Sequence, residues 1–82
     1  MGLKKLAAKL ADYRARLEGG KASEIKPDHV RKVLEKLRRK QADLEAKMEK
    51  ADGDEDRERL TRKLEVAQQQ IRHAEWLLEN IP

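Results

Sequence analysis

Two histidines, a cluster of aspartates and a stripe of lysines are the side chains of this 82-residue sequence whose types suit chemistry. His29 and His73 could in principle ligate a metal or carry protons, but they do not share a helical turn, and neither follows a carboxylate at the i−3 spacing of di-iron bundles. Asp52, Asp54 and Asp56 surround Gly53 as in a calcium loop. An EF-hand wants glycine at its sixth position and glutamate at its twelfth, whereas here glycine is second and the twelfth residue is Lys63. The aspartates therefore read as a turn followed by acids at a helix start. The hydroxyl side chains are Ser23, Thr61 and Tyr13, and none is spaced with a base as an activated nucleophile. These patterns predict no enzyme, no cofactor, no metal and no small-molecule substrate.

The basic run is the strongest functional signal. Residues 31–40 hold six basic side chains against the single acid Glu35, a net of +5. Lys32, Lys36 and Lys40 recur every four residues, which stacks like charges along one helix face. With Arg39, and with Lys47 and Lys63 nearer the turn, they are candidate phosphate contacts. The alternative is an ordinary solvated face. Aromatic residues make up 2% of the chain, so base stacking is not expected, and any nucleic-acid contact would be to the backbone.

What must position these groups is written in an apolar ruler. Val30, Leu34, Leu37, Gln41, Leu44 and Met48 alternate spacings of four and three, as do Leu60, Leu64, Ala67, Ile71, Ala74 and Leu78. That is the a/d repeat of helices packed knobs into holes. Taken in opposite order, each pair of residue numbers sums to 108, so a chain folded back about residue 54 stacks six layers. The predicted fold is all-α: an antiparallel, coiled-coil-like hairpin with a short third helix packing at its open end. The chain forms one small domain, with a first helix at about 3–18, a linker at 19–26, a second helix at about 27–51, a turn at 52–54 and a third helix at about 55–80.

Local signals agree with this division. Gly19-Gly20 closes the first helix. Pro27 suits a first helical position, and Gly53 is the expected stop of the second helix. Asp54, Glu55 and Asp56 meet the positive end of the third. Glu35–Arg39, Asp43–Lys47, Glu55–Arg59 and Glu58–Arg62 have the favourable i, i+4 order. Gln41 falls at a core position opposite Ala67, where an amide fixes register.

The hairpin's flanks say more about function than its seam. Arg31 is expected near Glu75, His29 near Glu79 and His73 near Glu35. On the other edge Val33 falls near Leu77, then Lys40 near Gln70 and Lys47 near Lys63, so this edge is apolar at the open end and basic toward the turn. Val66, His73 and Trp76 sit outward beside it. Either the first helix, through Leu6 and Leu10, covers the apolar stretch within one chain, or a second copy does so in a homodimer. Val33, Val66, Leu6, Leu10, His73, Trp76 and Leu77 are accordingly the candidate protein-interaction residues.

Composition frames the rest. Charged residues are 44% of the chain and cysteine is absent, which fits a reducing, cytoplasmic setting. No apolar run reaches the length of a membrane span or a signal-peptide core, and Leu6 stands where a myristoylation signal needs a hydroxyl. The first helix, GLKKLAAKLADYRARL, is cationic and amphipathic but has no Trp or Phe anchor and contains Asp12, so docking on the hairpin is favoured over a membrane surface. The expected function is a non-enzymatic protein-interaction or assembly module that binds a protein partner or a second copy. The alternative is a basic-face regulator contacting nucleic-acid phosphates.

Overall fold

The computed structural model describes residues 2–82 and contains three α-helices: α1, Leu3–Glu18; α2, Pro27–Lys50; and α3, Asp54–Asn80. A 3-10 turn, Ala22–Glu24, interrupts the link between α1 and α2. α2 and α3 form the antiparallel hairpin, and α1 packs against both at the open end. The body measures 48 × 19 × 18 Å with a radius of gyration of 14.4 Å, against about 12 Å for a compact chain of this length. The excess is the arm: α1 is 16 residues long and α3 is 27, so at 1.5 Å per residue α1 spans about 24 Å of the roughly 40 Å hairpin.

The end of α1 shows how local chemistry sets the chain's course. Gly20 has φ 77°, the left-handed conformation in which a side chain is strained. Its N–H donates to the carbonyl of Leu17 (3.3 Å), and the N–H of Lys21 reaches back to that of Arg16 (2.8 Å). This Schellman pair satisfies carbonyls that the helix leaves open. Gly20→Ala is expected to cost about 1 kcal/mol, seen as a lower urea midpoint at unchanged slope; an unchanged midpoint would show that the turn has another solution.

Lys26 is extended before Pro27, and Asp28 lies in the first turn of α2. The hairpin turn departs from expectation. Gly53 is extended, with φ −108° and ψ 149°, and serves as the N-cap of α3 rather than as a left-handed stop for α2. The end of α2 is closed instead by Arg57, whose Nε donates to the carbonyl of Ala51 at 3.2 Å. α3 accordingly begins at Asp54, at the near edge of the acidic cluster.

The core is concentrated at the open end. Leu6, Leu10, Ile25, Val30, Val33, Leu34, Leu37, Ala74, Leu77 and Ile81 form one buried cluster, with Leu3, Tyr13, Leu17, Ile71 and Leu78 packed partly against it. Toward the arm, Leu44 and Ala67 are buried outside that cluster, while Gln41, Met48, Leu60 and Leu64 are only half-covered. Ion pairs decorate this frame without holding it. Arg39–Glu35 (3.1 Å) and Arg62–Glu58 (3.0 Å) form as expected within their helices, whereas Arg59 turns to Asp56 at 3.7 Å. All are well exposed, a setting in which such pairs contribute about 0–1 kcal/mol.

Candidate interaction surfaces

The apolar edge is occupied within the chain. Val33 and Leu77, expected to face each other on one flank, are 3% and 0% exposed and share a cluster with Leu6 and Leu10. α1 has no acid in its first turn, but its leucines at spacings of three and four give it a face that only burial can satisfy. Four of the candidate interaction residues thus serve the fold and are covered while α1 is docked.

Val66 and Trp76 are the exposed large apolar side chains among the described residues, at 42% and 41%. Trp76 is not bare: the Arg14 guanidinium of α1 lies 5.5 Å from its ring centre, and His73 is tilted against it with centroids 6.3 Å apart. Val66 and His73 are two helical turns apart on one side of α3.

His73 joins this group and not Glu35. Burial pushes its pKa below 6.5, and the Arg14 charge adds to the shift. Its Nε2 is enclosed without a hydrogen-bond partner among the described residues. A depressed folded-state pKa means the unfolded chain binds the proton more readily, so stability is complete above about pH 6.5 and declines as pH falls below it. Thermal melts between about pH 7.5 and 5 should show a smaller decline for His73→Gln than for the unaltered chain. Equal declines would sink this assignment.

The basic residues divide into two groups. Lys32 and Lys36 line a hollow of about 240 Å³ between α1 and α2, together with Lys9, Tyr13, His29 and Val33. Arg39 and Lys40 line a neighbouring one with Lys36 and Asp43. This stripe is partly neutralised, since Arg31 pairs with Asp28 at 3.0 Å and Arg39 with Glu35. The expected Arg31–Glu75 bridge is replaced by Arg38–Glu75 at 3.8 Å, because Arg31 finds its acid one turn away on its own helix. His29 faces the α1–α2 hollow, not Glu79.

The second group lies on the arm. Lys47 and Lys63 share a hollow with Ala51, Asp56, Arg59 and Leu60. Lys63 and Lys40 share another, of about 400 Å³, with Gly2, Leu3 and Lys4 at the start of α1. Lys63 lines both hollows, the one at the start of α1 and the one toward the turn. Sequence spacing had brought Lys47 to Lys63; it offered no signal for Lys4 or Arg14, whose positions depend on the placement of α1. Among the described residues no cluster of three or more His, Cys, Asp or Glu converges as a metal site, and no helix is long and apolar enough to cross a membrane. No family model, curated protein or solved structure matches this chain.

Proposed function

We propose that this chain is a non-enzymatic helical interaction module that binds another protein along the α3 side of the bundle and the arm. The observation that supports this reading is the division of labour along one edge. α1 is long enough to satisfy Val33 and Leu77 but too short to cover the hairpin, and Val66 of α3 remains exposed. A two-helix arm held by few buried side chains contributes little to the stability of the open end. It is nevertheless long and bears an apolar residue where an idle exposed helix carries charge.

The phosphate-binding reading rests on the stripe at Lys32, Lys36, Arg39 and Lys40. Neutralisation of Arg39 and of neighbouring Arg31 by acids of their own helix weakens it. The two readings differ in salt dependence: apolar burial tolerates salt, whereas phosphate contacts lose affinity steeply as salt rises. A photo-crosslinking residue at Val66, with exposed Glu45 of α2 as the control position, tests this in cells that make the protein. The expected result is a discrete protein adduct at Val66 only, unaffected by nuclease. A nuclease-sensitive adduct, or adducts at both positions alike, would overturn the proposal.

A further inference from the structure

Resting on that reading, we infer that the groove along the arm is a docking site for an acidic amphipathic helix, which would lie end to end with α1 and complete a three-helix bundle over the turn half. The length fits. From Lys40 to Lys50 α2 runs about 15 Å beyond the start of α1, room for roughly three turns of helix. The groove's apolar lining is Ala51 and Leu60 toward the turn and Leu3 at the α1 end.

The rims decide the partner's charge. Lys40 and Lys47 stand on the α2 side, Lys63 on the α3 side and Lys4 at the α1 end, and none of them pairs with an acid among the described residues. The acid in the groove, Asp56, is already taken by Arg59 at 3.7 Å. Four uncompensated lysines facing one short groove repel one another, and carboxylates flanking an apolar stripe would relieve that repulsion. The end of α1 adds to this field. Its first turn has no acid, no side-chain cap and two lysines, Lys4 and Lys5, at the positive end of its dipole. By contrast α2 places Asp28 there, and α3 places Asp54, Glu55 and Asp56.

A second copy is a poor occupant. The short amphipathic helix of this chain, α1, is itself basic: it carries five basic and two acidic side chains. Inserting it would bring lysines against lysines. An extended polyanion would satisfy the rims but not the floor.

The test uses the full chain and a capped synthetic peptide of about 12 residues, with leucines at helical spacings of three and four and glutamates on both flanks. A matched peptide carries lysine in place of glutamate, and duplex RNA is the polyanion control. Affinity is read by fluorescence anisotropy and location by amide chemical shifts. The acidic peptide should bind, shift Ala51, Leu60 and Lys63, and lose at least about tenfold in affinity in Lys47→Glu/Lys63→Glu. The control Lys32→Glu, off the groove, should lose much less. Both variants change exposed residues, and circular dichroism verifies that they are folded. Equal binding of the lysine peptide, equal losses in the two variants, tighter binding of RNA than of the peptide, or no binding would each overturn the inference. Should it fail while a nuclease-resistant protein adduct still forms at Val66, the interaction reading stands and only this class of partner falls.

Discussion

Replacing Leu6 and Leu10 together by aspartate is expected to release α1 from the hairpin and to make the chain self-associate through the edge that α1 covers. Both side chains are essentially fully buried, at 1% and 0% exposure. Truncating one such leucine costs about 2–5 kcal/mol, and placing an unpaired carboxylate in the same site costs more. The other side chains by which α1 packs, Leu3, Tyr13 and Leu17, are only partly buried, and a free helix of 16 residues is marginal in water. The released segment should therefore unfold, lowering the far-ultraviolet helical signal by roughly a quarter, its share of the three helices. The hairpin would then expose Val33 and Leu77 on one edge, and the mass by light scattering should rise from 9.5 kDa to about twice that value. An unchanged mass and helical signal would mean that α1 does not cover this edge. A loss of nearly all helicity would mean that the hairpin cannot stand without α1.

The hairpin was legible because its information is periodic. A four-three repeat names the buried face of a helix regardless of what surrounds it, and two such repeats of equal length about an Asp-Gly-Asp turn specify their own pairing. The docking of α1 was legible for a related reason: Val33 and Leu77 spill out of the seam on the same edge, and something apolar must cover them.

What escaped were features that single residues determine in three dimensions. Ile25 and Ile81 cap the open end at 3% and 9% exposure, yet each stands outside the periodic helices, one after a 3-10 turn and one at the end of α3. Isolated isoleucines carry no periodic signal. The turn was misread at Gly53 because a side chain from the following helix, Arg57, does the closing that backbone geometry could have done. The Arg14–Trp76–His73 group depends on the rotation of α1 about its axis, which an amphipathic pattern fixes only to within a side chain's width. The hollow at the start of α1 was invisible for the same reason, since Lys4 and Leu3 join Lys40 and Lys63 only once α1 is placed.

Leu77→Ala and Leu44→Ala make the same chemical change and are expected to have very different consequences. Leu77 is 0% exposed at the junction of all three helices, and Leu44 is 2% exposed between two helices of the arm. Cavity cost depends on how far the surroundings can collapse: three packed helices cannot close around a missing isobutyl group, whereas two can draw together or fray. Leu77→Ala should cost about 3–5 kcal/mol. A chain of this size without cysteines to form a disulfide commands roughly that much in total. The variant should therefore be largely unfolded at 25 °C without a ligand, and the fluorescence of neighbouring Trp76 should match that of the urea-denatured chain. Leu44→Ala should lose about 2 kcal/mol, keep the native Trp76 signal, and raise hydrogen exchange over the arm before the open end. If the two substitutions shifted the urea midpoint equally, stability would be spread evenly along the hairpin. The arm would then be part of the folding unit rather than an appendage held out from it, and its weak core could no longer be read as a groove left open for a partner.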